Sequence, residues 1–285
     1  MAPVSGSYVV ETDWLAAHLN APDLVVLDGS WHLPTAGRDA RAEYLAEHIP
    51  GALFFDIDEI SDETSPLPHM LPSTVKFASR MKKMGIGDGM RVVVYDSVGM
   101  FSAARVWWTF RVMGHEDVAV LNGGLPKWKV EGRPVSSEPP PARSERHFTP
   151  RLNASLVRDL EEMKRIVESG SAQIADARGP GRFTGTEPEP RPGLRSGHIP
   201  GSRNVPYSRL CNPDGTLKPA PELHRLFSEA GIDPSKPVVT TCGSGVSAAV
   251  LSLALAIIGQ PDSALYDGSW SEWGRDDAGT PVETG

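Results

Sequence analysis

Cys242 is one of two cysteines in 285 residues, and its neighbours are those that make a thiol reactive. It stands in Thr241-Cys242-Gly243-Ser244-Gly245-Val246-Ser247-Ala248. Glycines let a short loop curl until successive backbone N–H groups point inward. A helix that follows adds its own unpaired N–H groups and its positive dipole end. The anion such a ring stabilises is a thiolate, or a sulfur bound to it. The alternative is a structural cysteine packed as a small hydrophobe; two glycines, two serines and a following helix favour the ring. The second thiol, Cys211 in Leu210-Cys211-Asn212-Pro213, has neither a glycine loop nor a helix start and is expected to be inert.

The flanking residues supply the elements that position this loop. Val238 to Thr241 reads as the end of a buried strand. Ser247 to Ile258 is almost wholly apolar and stops at Gly259, which predicts a buried helix. The same grammar runs through the first half. Leu24–Asp28, Ala52–Phe55, Val92–Tyr95 and Val118–Leu121 read as strands. Arg38–His48, Val75–Met84 and Ser102–Met113 read as helices, the last two stopped by Gly85 and Gly114. Short β-branched runs separated by helices imply parallel strands with crossovers. Ligands of such sheets bind beyond the carboxyl ends of the strands, where Asp96 and Cys242 fall.

The chain also repeats itself. His48-Ile49-Pro50-Gly51 recurs as His198-Ile199-Pro200-Gly201. Leu121-Asn122-Gly123-Gly124, leading to Trp128, recurs as Tyr266-Asp267-Gly268-Ser269, leading to Trp273. Val25–Asp28 matches Gln173–Asp176, and Arg91–Tyr95 matches Pro237–Thr241, in the same order. One domain has been duplicated, each copy closing its own core. Between the copies Glu138-Pro139-Pro140-Pro141 reads as a stiff, extended connector. The copies differ at the loop: Asp96 takes the place of Cys242, and Asp96 to Ser102 is one residue longer than Cys242 to Ser247. An aspartate cannot do thiolate chemistry, and the longer loop is not expected to close the same ring.

Composition removes other classes. The chain is 40% hydrophobic and 22% charged, as a globular protein is, and its net charge of −8 argues against nucleic acid and anionic membrane surfaces as partners. Two cysteines cannot build a disulfide framework or a four-cysteine metal site, and neither a metal nor a cofactor is expected. The longest apolar run, Ala248 to Ile258, is too short to span a bilayer. Met1 to Trp14 lacks the basic and apolar regions of a secretory signal, so the expected compartment is reducing and cytoplasmic.

Taken together, the two His-Ile-Pro-Gly stretches, the Trp-ended closing motifs and the cysteine loop resemble the rhodanese superfamily in its tandem-domain form, over nearly the whole chain. Cys242 to Val246 is most similar to the branch that uses 3-mercaptopyruvate; thiosulfate-using relatives carry basic residues at the positions of Gly243 and Ser244. Gly181 to Arg191, and Phe54 to Asp58 followed by His69-Met70-Leu71-Pro72, resemble that branch as well. The resemblance implies an α/β fold of two tandem rhodanese-like domains, each a mostly parallel sheet with helices on both faces. Residues 1–140 would be the non-catalytic copy and 150–285 the catalytic one. It further implies transfer of sulfur to Cys242 as a persulfide, release of pyruvate, and delivery to a thiol acceptor such as thioredoxin, or to cyanide. Gly243, Gly245, Val246 and Ser247 would surround the sulfur and its donor. Arg182 and Arg191 match the residues that bind the donor's carboxylate and carbonyl, a task suited to guanidinium. Ser244, His69 and Asp58 match a relay for the donor's thiol proton; alternatively, Asp58 and His69 cap a turn near Pro66 and Pro68. A working relay would place the site between the domains. His48, His198, Asp28 and Asp176 are read as turn and loop caps, and Trp107 and Trp108 as core.

Three other functions remain open. A cysteine phosphatase needs an arginine six positions after its cysteine, and that position is Ala248. A thiosulfate sulfurtransferase would want cations beside Cys242. A non-catalytic interaction module would have lost the cysteine, as the first copy has.

Overall fold

Strands that run parallel must be joined by crossovers, so alternating short strands and helices fold into sheets covered by helices. The computed structural model describes residues 7–285. The first half contributes strands β1 (Val9–Val10), β2 (Leu24–Asp28), β3 (Leu53–Phe54), β4 (Arg91–Tyr95) and β5 (Val118–Leu121). Its helices are α1 (Thr12–His18), α2 (Ala40–Ala46), α3 (Thr74–Lys83), α4 (Ala103–Val112) and α5 (Gly124–Val130). The second half contributes β6 (Val157–Arg158), β7 (Gln173–Asp176), β8 (Arg203–Asn204), β9 (Val238–Thr241) and β10 (Ala264–Tyr266). Its helices are α6 (Leu160–Ser169), α7 (Pro180–Thr184), α8 (Ala220–Glu229), α9 (Ala248–Ile257) and α10 (Ser269–Trp273).

The two sheets have the orders β1-β5-β4-β2-β3 and β6-β10-β9-β7-β8, so the second is the first with every label advanced by five. Their pairings are parallel, as the crossover argument requires. Register sets the sites: Asp28 lies opposite Tyr95, and Asp176 opposite Thr241. Asp96 and Cys242 are therefore the first residues beyond the carboxyl ends of the central strands.

Each sheet is covered on both faces. In the first, Val93 and Tyr95 pack with Leu15 of α1 and with Leu125 and Trp128 of α5. On the opposite face Gly29 admits α4, because a Cβ there would lie 2.8 Å from Val106 and 3.0 Å from Val94. In the second, Val239 and Tyr266 pack with Met163 and Ile166 of α6 and with Trp270 and Trp273 of α10. Across that sheet the Thr240 hydroxyl lies 2.9 Å from that of Ser252 on α9. A helix buried all round must be apolar all round; from Ala248 to Ala256 every residue of α9 is buried.

By their internal contacts the residues form two compact units. The first holds residues 7–63, Leu71–Asn153 and Asn212–Leu217; the second holds Thr64–Met70, Ala154–Cys211 and Lys218–Gly285. The chain beyond the triple proline stays with the first unit as far as Asn153, because Phe148 is buried against Phe77 and Phe110. Trp107 and Trp108 are wholly buried, as expected of core residues. His48 and His198 bond backbone carbonyls through Nδ1, to Tyr44 at 2.7 Å and Phe183 at 2.8 Å. Asp28 and Asp176 each accept the N–H two residues on, which is the loop-capping role read from the sequence. The edge strands β1 and β6 are two residues long, too short for any periodicity to reveal them.

Candidate active site

The two loops beyond the central strands use one construction with different fillings. In the first unit the Asp96 carboxylate is wholly buried and accepts four backbone N–H groups. Oδ1 takes those of Val98 at 3.0 Å and Gly99 at 2.9 Å; Oδ2 takes those of Phe101 at 2.8 Å and Ala103 at 3.0 Å. The longer loop thus closes a ring of its own. It closes on its own side chain, since a carboxylate reaches further than a thiol and accepts along two oxygens.

In the second unit Cys242 opens the corresponding loop between β9 and α9, with 1% of its surface exposed. Ser244 and Val246 are buried beside it, and Gly245 takes φ 76°, a left-handed turn that a side chain resists. The loop is clamped from behind by α10. Trp270 donates its N–H to the Cys242 carbonyl at 3.0 Å, as Leu125 does to that of Asp96 at 3.0 Å. Ser271 donates to the Gly243 carbonyl twice, from its N–H at 2.8 Å and its hydroxyl at 2.6 Å. Ser269 accepts the Cys242 N–H at 3.3 Å and donates to the Tyr266 carbonyl at 2.8 Å.

Ser269 holds φ 50°, where the first unit has Gly124 at φ 55°. A non-glycine residue there carries backbone strain of about 1–2 kcal/mol, and such strain marks positions kept for what the side chain does. The closing repeat aligns Gly124 with Ser269, and that exchange was the signal that sequence reasoning passed over.

Arg182 lies against the loop. A Cβ on Gly243 would come within 2.7 Å of its Nη2, so glycine is what allows the guanidinium to touch this backbone. Behind it stands an ion network not foreseen from the sequence. Glu189 accepts from Arg182 Nη2 at 2.5 Å and Nε at 3.3 Å, and from Arg178 Nη1 at 2.7 Å. Arg178, wholly buried, also donates to Asp176 through Nη2 at 2.7 Å and Nε at 3.0 Å, and to the Gly197 carbonyl at 2.8 Å. Its guanidinium carbon sits 4.4 Å from the centre of the Trp270 ring. Burial works against the Arg178 charge, but Asp176 and then Glu189 outweigh it and hold its pKa above the ordinary guanidinium value.

Arg191 forms a second centre in the same unit. Its Nη2 lies 3.2 Å from His69 Nε2. A guanidinium can only donate, so Nε2 is the acceptor and the imidazole proton resides on Nδ1. His69 is buried and takes φ 61°, another left-handed non-glycine position. Arg191 and Ser271 both line a cavity of about 400 Å³, walled on one side by Pro66, Leu67 and Pro68. Asp58 belongs to the first unit, where its Oδ2 accepts Trp31 Nε1–H at 3.0 Å. Cys211 places its sulfur 3.7 Å from the Tyr207 carbonyl. No helix among the described residues is long and apolar enough to cross a membrane, and none of their His, Cys, Asp and Glu side chains form a group able to hold a metal.

Comparison with known proteins agrees with this duplicated construction. The Rhodanese-like domain model matches residues 11–131 and again 159–276. The 3-mercaptopyruvate sulfurtransferase of Homo sapiens is 46% identical over 274 residues, which cover 93% of this chain and 91% of that protein. The thiosulfate sulfurtransferase of Bos taurus is 47% identical over 273 residues, covering 93% and 91%. Among solved structures, SseA of Escherichia coli, described as a 3-mercaptopyruvate sulfotransferase of rhodanese fold, superposes with a TM-score of 0.85 at 41% identity, covering 93% of this chain and all of that one. Two copies of one α/β unit, a single thiol at the loop of the second and relatives of this closeness place the chain in the rhodanese-like family.

Proposed function

We propose that this chain is a sulfurtransferase that takes sulfur from 3-mercaptopyruvate and passes it to a thiol acceptor through a persulfide on Cys242. Similarity over the whole chain does not choose the donor, because relatives named for mercaptopyruvate and for thiosulfate are about equally close. The observation that carries the choice is local. The residues beside Cys242 are Gly243 and Ser244, both uncharged, and the nearest cation arrives from outside the loop as Arg182. Thiosulfate carries its charge next to the sulfur under attack and calls for cations there. Mercaptopyruvate carries its carboxylate several bonds away, where Arg182 and Arg191 suit it.

The thiolate of Cys242 attacks the donor's thiol sulfur. An S–S bond forms, and the C–S bond breaks with its electron pair remaining on carbon. The leaving group is the enolate of pyruvate, and the proton that began on the donor's thiol ends on its methyl carbon. Arginine donors aimed at the keto oxygen and carboxylate stabilise the charge that builds in that step. The N–H groups of Gly243, Gly245, Val246 and Ser247 are the donors this reading assigns to the sulfur. Ser244, buried beside Cys242, moves the thiol proton, while His69 is engaged by Arg191 through Nε2. The acceptor thiolate then attacks the outer sulfur and restores the Cys242 thiolate. A thioredoxin-like protein in a reducing compartment fits that second step, because the acceptor must be kept as a thiol. The first unit contributes no second active site, its ring being filled by Asp96.

The test is pyruvate release from 3-mercaptopyruvate against thiosulfate consumption on one preparation. The expected outcome is preference for mercaptopyruvate and loss of both reactions in Cys242→Ser. Preference for thiosulfate would refute the donor assignment and leave the thiol chemistry standing.

A further inference from the structure

A lone arginine on a five-residue helix has many rotamers, yet Arg182 is held with its guanidinium against the backbone of Gly243. Something must fix it. Glu189 engages the Nε and Nη2 side of that guanidinium. This leaves the Nη1 side turned away from Glu189. Glu189 itself is 2% exposed and could not sit there as an ion facing Arg182 alone, because a buried carboxylate needs its remaining lone pairs satisfied. Arg178 supplies the second cation, and it is anchored in turn by Asp176, the Gly197 carbonyl and the Trp270 ring. Trp270 also holds the Cys242 carbonyl. The arginine that faces the donor and the loop that carries the sulfur are thus referred to one buried framework.

We infer that Glu189, locked by Arg178, is the positioning residue that aims Arg182 at the Cys242 loop. It touches neither donor nor sulfur and acts through Arg182. The inference deepens the reading of Arg182 as a carboxylate binder and rests on it. The four side chains Asp176, Arg178, Glu189 and Arg182 sum to zero charge. The cluster therefore offers an incoming anion direction more than net charge, and direction is what loss of Glu189 would remove.

Alkylation of Cys242 by iodoacetate relative to iodoacetamide reads this without turnover. The two reagents differ only in the carboxylate, so their rate ratio reports an aimed cation. Deleting a carboxylate charge in Glu189→Gln should by itself raise the ratio. Releasing Arg182 should lower it, because the Gln amide nitrogen cannot accept from Nη2. The expected result is a fall of about tenfold, the worth of one charged hydrogen bond. It is accompanied by a KM for 3-mercaptopyruvate about tenfold higher, a smaller change in kcat, and no further change when Glu189→Gln is added to Arg182→Gln. Glu189→Asp keeps the charge that Arg178 faces but falls short of Arg182; it should lower the ratio too and serves if the Gln variant does not fold. A ratio that stays or rises, or a full Glu189→Gln effect without Arg182, overturns the inference. If mercaptopyruvate is not the donor, wild-type turnover fails while the alkylation ratios still answer.

Discussion

Gly243→Ala isolates the role of Arg182 with a single methyl group. Alanine's Cβ would lie 2.7 Å from Arg182 Nη2, whereas ordinary contact begins near 3.4 Å. The guanidinium must therefore retreat by about 0.7 Å, the difference between those distances. It cannot do so and keep both its place over the loop and its 2.5 Å bond to Glu189. Losing one charged hydrogen bond to the donor costs about 1.5–3 kcal/mol. That corresponds to a fall in kcat/KM of roughly 10- to 150-fold. Stability should not follow activity. Gly243 lies outside the left-handed region, and a glycine replaced at an ordinary backbone angle tends to gain about 0.4–1 kcal/mol from the unfolded state. The assay is steady-state pyruvate release from 3-mercaptopyruvate, beside thermal unfolding of the same samples. A kcat/KM within about twofold of wild type, with unchanged folding, would refute the claim that the guanidinium must touch this backbone.

The thiols should separate cleanly: Cys242→Ser abolishes sulfur transfer and Cys211→Ser leaves it largely intact, and a persulfide found by mass spectrometry on the Cys242→Ser protein would contradict this. Ser269→Gly restores what the first unit has at Gly124; it should relieve left-handed strain yet lower kcat by about tenfold, as the Cys242 N–H loses its partner, and an unchanged kcat would remove Ser269 from the site. Asp96→Asn turns one acceptor oxygen into a donor facing two N–H groups and should cost about 3 kcal/mol or more, read from the urea midpoint; a loss below about 1 kcal/mol would deny the ring its structural role. The Glu43 carboxyl is held at about 2, first by Arg38 and then by His32, so its contribution is present above its unfolded value of 4.5 and lost as pH falls toward 2. The Tm gap between wild type and Glu43→Gln should accordingly be constant from neutral pH to about 5 and close below it, and a gap independent of pH would show that the carboxylate's charge contributes nothing.

What could be read from the sequence followed from how local each feature is. The cysteine loop was legible because strand, glycines and apolar helix are contiguous, and each restricts the backbone by itself. The helices predicted from Val75, Ser102 and Ser247 end within a residue or so of their observed limits, since glycine at 85, 114 and 259 takes a left-handed turn that ends each one. The duplication was legible because His-Ile-Pro-Gly and the closing tryptophans recur in order. The ion network was not. Asp176 was recognised as a cap, and its partner Arg178 was passed over, because a fully buried arginine looks like any other until its neighbours are known. Glu189 lay inside a stretch matched by resemblance, yet its two cations are brought to it only by the turn after α7. Asp96 was legible as the loss of a thiol and not as an acceptor of four N–H groups, since ring closure depends on how the extra residue folds.

The comparison of the two loops explains why duplication need not give two active sites. Both rest on the same strand order, and both have a carbonyl at the loop's first residue held by an N–H from the helix after the next strand. Both also bring an arginine–glutamate pair to the loop: Arg182–Glu189 against Gly243, and Arg38–Glu43, whose Nη2 lies 3.3 Å from the Ser97 hydroxyl. What differs is the residue at the head of the loop, Asp96 in one unit and Cys242 in the other. A ring of N–H groups with nothing inside is costly, because buried donors must be satisfied. The first unit meets that demand permanently with its own carboxylate and gains a rigid loop. The second has Cys242 at the corresponding position, which on the proposed function carries the transferred sulfur. On the proposed function, Cys242 would draw on the same kind of N–H stabilisation that Asp96 keeps for itself.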